Sequence, residues 1–281
     1  MAETKEQPSG CKISLAGDLG SGKSTISECL APMLGAVRYS TGDIVRKIAG
    51  ERGMTVLELN TYMETHPEID REIDDGLARL SEDPRAMIID SRLAWHFTKG
   101  TFKVYLSVDP AVGAARIIGA NRATEQYRSV EEAEAGVRDR RRSERRRYSE
   151  MYGVDIKDFG NYDMIVDTSY ASPEKVAFAL REGLRVWKED PETRALLVSP
   201  KRLLYPDDAP DFALAAEYSD LIVAGEDVPA VRVFESDGDL YIASGVESAL
   251  AYAMAESDFI HAELVSGSPA GKTYVRMADS L

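Results

Sequence analysis

A short run of small and charged residues near the start of the chain has the spacing of a phosphate-binding loop. Residues 17–24 read GDLGSGKS, which fits the pattern G-x-x-x-x-G-K-[ST] between an apolar strand and a helix. The glycines let successive backbone N–H groups point at phosphate oxygens, Lys23 is able to reach the β and γ phosphates, and the Ser24 hydroxyl is a ligand for Mg²⁺. The residues predicted to bind the phosphates are Gly17, Gly20, Ser21, Gly22, Lys23, Ser24 and Thr25. The pattern predicts a nucleoside triphosphate with Mg²⁺ and leaves the phosphoryl acceptor open.

Two arginines further along the chain suit a second phosphoryl group. The segment STGDIVR places Asp43 and Arg46 one turn apart on one face of a predicted helix. The segment IIDSRLA places Arg92 just past the carboxyl end of an apolar strand, where a parallel sheet presents groups to a ligand. Arginine's planar fork matches phosphate oxygens. The alternative for Arg46 is a simple ion pair with Glu51 or another carboxylate.

Apolar strands and helical patterns alternate around these residues. Strands are predicted at residues 11–17, 37–39, 86–90, 102–108 and 162–168. Helices are predicted at residues 20–35, 43–53, 54–80, 111–152 and 172–189, the last with Ser172 as its cap and Pro173 as its first residue. This alternation predicts an α/β fold with a doubly wound parallel sheet, whose ligand lies at the carboxyl ends of the strands.

The composition changes near residue 191. Four prolines with charges between them, at positions 191, 200, 206 and 210, predict a linker and the start of a second unit. A hairpin that turns at Asp237-Gly238, a helix at 246–257 and a strand at 259–265 then predict a small α+β domain. We therefore predict a flexible tail at 1–10, the main domain at 11–190 and an accessory domain at 191–281.

The overall composition excludes several classes of protein. A net charge of −14 and a pI near 4.8 argue against a broad binding surface for nucleic acid or anionic lipid. No apolar stretch approaches the ~20 residues that cross a bilayer, and the polar first residues lack the apolar core of a signal peptide. We expect a cytoplasmic protein that binds neither nucleic acid nor membrane. Cys11 and Cys29 are too few for a disulfide framework, and His66, His96 and His261 have no metal-ligand spacing.

One stretch runs against this acidic balance. The segment RDRRRSERRRY, residues 138–148, carries seven arginines within a predicted helix. Their mutual repulsion is costly unless anions lie among them. The candidate anions are nearby carboxylates, a nucleic acid, a membrane surface or a small polyphosphate. Because the rest of the chain is acidic, the cluster is a local feature rather than part of a broad basic surface.

Together these segments resemble the cytidylate kinases of the short archaeal type, within the nucleoside monophosphate kinases. The resemblance runs from about Lys12 to Thr168 and rests on GDLGSGKST, STGDIVRKIAGERGM, HPEIDREID, DSRLA, RSVEEAEAGVRDRRRSERRRYSEMYGVDI and NYDMIVDT. It implies a P-loop NTPase-type sheet with a helical lid and a monophosphate-binding segment. It also implies ATP as donor, Mg²⁺ as cofactor, and CMP or dCMP as the nucleotide phosphorylated by direct in-line transfer.

The resemblance also assigns roles to the arginines. Arg92 would grip the acceptor phosphate, and three lid residues match the family pattern R-x-R-x-x-S-E-x-x-R-Y. The residues predicted to be catalytic are Lys23, Arg92, Arg138, Arg140 and Arg147. Closure of the lid would bring its arginines around the transferring phosphoryl group and exclude water. The other four lid arginines, 141, 142, 145 and 146, are expected at a solvated surface with Glu144 and Glu150 as partners.

The acceptor base is predicted less directly. Asp70 and Asp74 lie four residues apart on one helix face, and an aspartate accepts from the exocyclic amine of cytosine while an arginine donates to its carbonyl. The alternative is a pair of solvent-facing carboxylates that bind Arg71 or Arg79. The predicted acceptor-binding residues are Thr41, Asp43, Arg46, Asp70, Asp74 and Arg92. The acidic-glycine-arginine pattern usual in the family reads Asp90-Ser91-Arg92 here, so the choice of acceptor is expected to differ.

Residues 199–265 vaguely resemble ParB-like and sulfiredoxin-like domains, with SGVES in place of their phosphate-binding G-H-x-R signature. Without those basic residues we expect no catalysis there, and instead a role in a homodimer or in regulation, or a packing extension. Three rival functions for the whole chain remain: a nucleotide-sensing regulator, a kinase of a modified pyrimidine or another small phosphate acceptor, and a nucleic-acid binder built on residues 138–147.

Overall fold

The computed structural model describes residues 10–119, 130–207, 210–269 and 271–280, so the predicted tail lies outside it except for Gly10. The helices are α1 Lys23–Leu34, α2 Thr41–Glu51, α3 Val56–Met63, α4 Pro67–Arg79, α5 Ala94–Phe97, α6 Pro110–Gly119, α7 Val130–Tyr152, α8 Pro173–Glu189, α9 Phe212–Ala224 and α10 Val246–Met254. The strands are β1 Lys12–Gly17, β2 Val37–Ser40, β3 Met87–Asp90, β4 Thr101–Ser107, β5 Met164–Asp167, β6 Ala195–Val198, β7 Leu204–Pro206, β8 Val231–Ser236, β9 Asp239–Ser244, β10 Ile260–Leu264 and β11 Tyr274–Arg276. Within these described ranges, every helix is too short or too polar to cross a bilayer.

The described strands form one sheet in the order β11-β7-β9-β8-β10-β6-β5-β4-β1-β3-β2. The half from β6 to β2 is parallel throughout. The five strands predicted before residue 170 are all present, so the predicted α/β fold with a parallel sheet is confirmed. The strand order reverses at β1, since β2 and β3 lie on one side of it and β4 and β5 lie on the other. The crevice at the carboxyl end of β1 is therefore the expected ligand position.

The parallel strands are continuous apolar runs because helices cover both of their faces. Every residue of β1 is buried, and its side chains alternate between two cores. Leu15 packs in the core beneath α1 and α8, whereas Ala16 packs in a core that continues into the C-terminal strands. Packing on both faces of the sheet thereby fixes the position of β1 and of the loop that follows it.

The ends of two helices follow from local sequence signals. Gly35 caps α1 in the left-handed region at φ 58°, where glycine is favoured. Ser172 accepts a hydrogen bond from the Lys175 N–H and Pro173 is the first residue of α8, as the sequence predicts.

One predicted helix is divided in the structure, and part of a second lies outside the described residues. The stretch 54–80 forms α3 and α4, because Thr55 and Glu58 make a reciprocal capping box at the start of α3 and Pro67 starts a new helix after the turn at His66. The stretch 111–152 forms α6 and α7, and residues 120–129 between them lie outside the described residues.

The stretch after residue 190, where the prolines predict a linker and the start of a second unit, contains a strand that the sequence analysis did not predict. Residues 195–198 form β6, which pairs in parallel with β5 and antiparallel with β10. The predicted C-terminal hairpin is present, with positive φ at Asp237 and Gly238. The division of the chain into two domains at 190/191 stays a prediction, and the sheet runs across it.

Candidate active site

The loop between β1 and α1 is shaped by close backbone contacts. Gly17 and Gly20 both have positive φ, at 151° and 79°. A Cβ on Gly17 would overlap the carbonyl oxygen of Leu106 at the end of β4, and a Cβ on Gly20 would overlap the backbone of Gly113 in α6. Glycine is therefore required at both positions by the neighbouring elements.

The lysine of this loop is held by the loop itself. Its Nζ donates to the carbonyl oxygen of Gly17 at 3.0 Å and to that of Asp18 at 2.9 Å. Burial lowers the pKa of Lys23 to about 8, and Asp90 opposes that shift. A bound anion in the loop would favour the charged form of the lysine.

A carboxylate that the sequence analysis did not select completes this region. Asp90 is the last residue of β3, and its Oδ2 accepts from the Ser24 hydroxyl at 3.2 Å. The available signal was an apolar strand that ends in an acidic residue. Paired hydroxyl and carboxylate oxygens suit Mg²⁺, which in kinases is held by one or two protein groups and the phosphates. Within the described ranges, no group of three or more His, Cys, Asp and Glu side chains is placed to hold a metal without nucleotide.

A cavity of about 480 Å³ joins this loop to the rest of the predicted site. The predicted residues that line it are Gly20, Ser21, Gly22, Lys23, Ser24, Thr25, Thr41, Arg46, Asp70, Asp74, Arg92, Arg140 and Arg147. Three others lie outside its lining: Gly17 at the base of the loop, Asp43 in an ion pair with Arg46, and Arg138 on the exposed side of α7. The structure therefore brings most of the predicted donor and acceptor residues to one crevice.

The acceptor wall contains two buried carboxylates, so the solvent-facing alternative for them is wrong. Asp70 and Asp74 are 5% and 8% exposed on α4. The Nε of Arg147 lies 3.0 Å from Oδ2 of Asp70, in an ion pair without the geometry of a hydrogen bond. Tyr152 donates its hydroxyl proton to Asp74. Burial raises the pKa of Asp70, and it raises that of Asp74 to about 6 against the hydrogen bond from Tyr152.

Glu144 of α7 pairs with two arginines, Arg92 after β3 and Arg140 of its own helix. It is 2% exposed, and its two oxygens lie 2.7 Å from Nε of Arg92 and 3.1 Å from Nε of Arg140. Burial alone would raise the pKa of this carboxyl, but Arg92 and Arg140 outweigh burial and hold the pKa below its usual value. Arg92 and Arg140, two of the arginines predicted to bind phosphate, are thus paired with one carboxylate of the chain.

Arg141 reaches the phosphate-binding loop, so the expectation that it lies at a solvated surface is wrong. Its Nη2 lies 3.0 Å from Oδ1 of Asp18, and Nζ of Lys157 lies 2.8 Å from the same oxygen. Asp18 also accepts from the Tyr105 hydroxyl at 2.9 Å. Burial would raise the pKa of Asp18, yet these cations outweigh burial and hold it well below its usual range. The lid helix is therefore joined to the loop by a buried ion cluster.

The remaining arginines of the cluster are exposed, as expected, but their partners differ from those predicted. Arg145 pairs with Asp155, Arg146 lies 3.0 Å from Glu64, and Arg142 lies 3.6 Å from Asp139. Carboxylates of the same chain thus lie among the arginines, which is the first of the four kinds of anion that the sequence allowed.

A further arginine that the sequence analysis did not select lines the cavity beside the loop. Arg116 of α6 donates through Nη2 to the carbonyl oxygens of Thr168 at 2.7 Å and Ser169 at 3.0 Å. It stands alone in an apolar helix, and no motif marks it. It joins α6 to the loop after β5 on the donor side of the cavity.

The family model described as the cytidylate kinase-like family matches residues 12–170, more than half of the chain. The chain belongs to the cytidylate kinase-like family. Membership confirms the resemblance drawn from the motifs and makes the protein a nucleoside monophosphate kinase. The matched residues of this kinase include the two buried carboxylates of α4, Asp70 and Asp74, and all the arginines of α7.

Curated relatives of the kinase include archaeal proteins named cytidylate kinase. The one from Pyrococcus abyssi is 39% identical over 171 residues, 60% of this chain and 91% of the relative. The one from Natronomonas pharaonis is 36% identical over 180 residues, 63% of this chain and 91% of the relative. The one from Archaeoglobus fulgidus is 33% identical over 178 residues, 63% of this chain and 96% of the relative.

Solved structures that align with the kinase include two shikimate kinases. The one from Bacteroides thetaiotaomicron is 19% identical, with a TM-score of 0.45, and the alignment covers 62% of this chain and 98% of that chain. The one from Acinetobacter baumannii is 17% identical, with a TM-score of 0.44, and the alignment covers 64% of this chain and 95% of that chain.

Proposed function

We propose that the kinase phosphorylates CMP or dCMP to the diphosphate, with ATP as donor and Mg²⁺ as cofactor. An oxygen of the acceptor phosphate attacks the γ phosphorus of ATP directly, while the bond from that phosphorus to the β-γ bridging oxygen breaks. The products are a cytidine diphosphate and ADP, with no covalent enzyme intermediate. Mg²⁺ held by Ser24, Asp90 and the phosphates would neutralise charge on the donor.

The observation that carries the choice of cytosine is the pair of buried carboxylates on α4. The exocyclic amine of cytosine is a donor, whereas uracil has a carbonyl oxygen at the same position. An ionised Asp74 or Asp70 accepts from the amine and repels the carbonyl. Arg147, which is paired with Asp70, would supply a donor for the remaining carbonyl of cytosine. A site built for one hydrogen-bonding edge discriminates strongly against the other, because its buried groups are otherwise left unpaired.

The phosphate end of the acceptor is assigned to Arg92. In the structure this arginine is paired with Glu144. We propose that the acceptor phosphate takes the place of the carboxylate at Arg92 and that Arg140 turns toward the transferring group. Lys23 and the arginines then neutralise the equatorial oxygens at the moment of transfer, which is where phosphoryl transfer gains most of its acceleration.

The test is a panel of monophosphates measured by formation of ADP. CMP, dCMP, UMP, AMP and base-modified cytidines are compared in the wild type, in Asp74→Asn and in the matched control Asp75→Asn, whose residue is exposed on the same helix. We expect CMP or dCMP to be the preferred acceptor of the wild type and of the control. In Asp74→Asn the preference for CMP over UMP falls by about tenfold or more, because an amide donates where the carboxylate only accepts.

Two outcomes favour the rival functions. Turnover of a modified cytidine above that of CMP and dCMP identifies a modified pyrimidine as the acceptor. The presence of Ser91 in place of the family's usual glycine gives a reason for such a change in acceptor. Binding of CMP without turnover at any Mg²⁺ concentration favours the nucleotide-sensing regulator.

The cellular setting also stays a prediction. We propose a cytoplasmic enzyme that acts on free nucleotides, in line with the acidic composition. A homodimer through residues 191–281 is tested by sedimentation of the full chain, and a single species at the mass of one chain, 30.9 kDa, excludes it.

A further inference from the structure

The C-terminal residues reach two loops next to the donor side of the cavity, the second of which lines the cavity through Thr168. These loops follow β4 and β5, at residues 107–109 and 167–169. Two arginines make the contact, Arg202 before β7 and Arg276 at the end of β11. Both lie beyond the segment that matches the family, which ends at residue 170. Their contacts are therefore an addition to the family's kinase unit.

Arg202 is buried between the two loops. Its side chain is 2% exposed, and Nη1 donates to Oδ1 of Asp167 at 2.9 Å and to the Ser107 hydroxyl at 2.8 Å. Nη2 donates to the carbonyl oxygens of Val108 at 3.3 Å and Gly238 at 2.8 Å. One guanidinium thus joins the ends of β4 and β5 to the turn of the C-terminal hairpin.

Asp167 connects Arg202 to the other residues of the loop after β5. It is fully buried, and Oδ1 accepts from the Ser169 N–H at 3.1 Å and from the Ser169 hydroxyl at 2.6 Å. Ser169 Oγ in turn accepts from the Asp109 N–H at 2.8 Å. The residue between Asp167 and Ser169 is Thr168, which lines the cavity and accepts from Arg116.

Arg276 holds the start of α6. Its Nη1 donates to Oδ2 of Asp109 at 2.5 Å, and its Nη2 donates to Oδ1 of Asp239 at 3.3 Å. Through Oδ1, Asp109 accepts from the N–H groups of Ala111 and Val112 and so caps α6. Arg276 therefore holds in place the Asp109 carboxylate that caps the N-terminus of α6.

The position of α6 matters for the phosphate-binding loop. Gly113 of this helix packs directly on Gly20 of the loop, so a shift of α6 displaces the loop backbone. Arg116 and Ile117 of the same helix line the cavity beside the loop. The C-terminal contacts thus converge on the donor side, whereas the acceptor wall is built from α2, α3, α4 and α7.

We infer that Arg202 and Arg276 are positioning residues for the ATP half of the active site, so that the C-terminal segment sets the affinity for the donor nucleotide and leaves that for the acceptor unchanged. The inference rests on the proposed use of ATP. Neither arginine contacts the cavity, and each acts through a carboxylate, Asp167 or Asp109, that shapes a donor-side loop. The segment 191–281 is then a brace for nucleotide binding rather than an independent module.

The test uses Arg276→Gln in the full chain, because Arg276 is partly exposed and its replacement removes an ion-pair partner of Asp109. We expect the KM for ATP to rise about five- to tenfold, the cost of one charge-assisted contact. Calorimetric titration with a non-hydrolysable ATP analogue and Mg²⁺ should show the same loss of affinity. The KM and Kd for CMP should stay within about twofold of wild type, and Arg276→Lys should recover part of the ATP affinity. Arg202→Lys is the second variant, with the same expected direction.

The matched control is Arg232→Gln, since Arg232 is a C-terminal arginine in an exposed ion pair with Glu263 at 2.7 Å. It should leave both nucleotide affinities unchanged. A lower unfolding midpoint in Arg276→Gln with unchanged affinity for the ATP analogue overturns the inference, as does an equal loss of affinity for ATP and CMP. If the wild type binds the analogue but does not phosphorylate CMP, the proposed function fails while the titrations still decide the role of the arginines.

Discussion

The two sides of the cavity are built from different materials. On the donor side, backbone groups define the site: the loop at 17–22 curls around Lys23, and its shape is fixed by glycines packed against β4 and α6. On the acceptor side, long side chains define it, and they bind one another, as in the pairs Arg92 with Glu144 and Arg147 with Asp70. The donor side is shaped by backbone contacts, whereas the proposed function requires Arg92 on the acceptor side to exchange its carboxylate partner for a phosphate.

This difference has an energetic basis. Breaking a buried ion pair by removing one partner costs roughly 3–5 kcal/mol, because the other charge is left uncompensated. Under the proposed function, the acceptor phosphate takes the place of Glu144 at Arg92, so that the arginine keeps an anionic partner. The arginine cluster is tolerated in an acidic chain because carboxylates of the same chain lie among its members.

The largest expected effect tests the preformed side. Lys23→Ala should lower kcat by about 10²–10³-fold or more, because it removes a fixed charge from the transferring phosphoryl group. The measurement is ADP formation with CMP as acceptor. Lys47→Ala is the control, since Lys47 is an exposed lysine in a surface pair with Glu51, and it should retain full activity. Equal loss in both variants would show that unfolding, not the loop, is being measured.

The exchanging side is tested by Arg92→Lys. A lysine keeps the charge but loses the fork that binds two oxygens at once, so kcat/KM for CMP should fall by about 10–100-fold. The KM for ATP should stay within about twofold, and Arg71→Lys on the exposed face of α4 should change neither. If the KM for ATP rises by the same factor as kcat/KM for CMP falls, the division of the cavity into two sides is wrong.

The phosphate-binding loop could be predicted almost completely from sequence, whereas the partners of the arginines and several other groups that line the cavity could not. The loop, its flanking strand and its helix are contiguous, so one motif specifies them together. The partners of the arginines come from distant segments: Asp18 meets Arg141, and Arg92 meets Glu144, across separations that no local pattern records. Arg116 was missed for the same reason.

The C-terminal half shows a second limit of sequence. Its hairpin at Asp237-Gly238 was predicted because the turn is local. The strand β6 was not predicted, because prolines and charges flank it. Its pairing with β5 and β10 depends on residues far along the chain.

The pH dependence of acceptor binding tests the buried carboxylates. Burial raises the pKa of Asp74 to about 6, so the group is neutral below that pH and accepts poorly from the cytosine amine. The affinity for CMP should therefore fall as the pH drops through 6, by about tenfold between pH 7.5 and pH 5. The pH dependence of CMP binding to Asp74→Asn gives the part that comes from CMP itself and from groups other than Asp74. The same pH profile in variant and wild type would contradict the assignment.

The same shift has a consequence for stability. Because the pKa of Asp74 is higher in the folded than in the unfolded chain, the contribution of this group to folding is fully present below about pH 4 and is lost as the pH rises through 6. Asp74→Asn removes that loss. Its unfolding midpoint should exceed that of wild type at pH 7.5 more than at pH 5, measured by thermal denaturation without nucleotide.

The smallest expected effect concerns Ser91, which stands where the family usually has glycine. The residue is 6% exposed, lines the cavity between Asp90 and Arg92, and accepts from the Leu93 N–H at 3.4 Å. Its backbone does not have positive φ, so glycine is not required there by conformation. Ser91→Gly should cost about 0.5–1 kcal/mol of stability through the added freedom of the unfolded chain. By opening the wall beside Arg92 it should lower the KM for CMP by at most about threefold, with the KM for ATP unchanged.

Ser91→Ala separates the two ways in which this side chain acts. Alanine keeps the Cβ and loses only the hydroxyl, so it should retain the wild-type KM for CMP if crowding by the Cβ is what matters. If alanine and glycine lower the KM equally, the hydroxyl and its contact with Leu93 are responsible, and the acceptor wall is tuned by a hydrogen bond rather than by space. Either result places the adjustment on the side of the cavity built from side chains, where a single atom changes the fit without disturbing the loop that holds the donor.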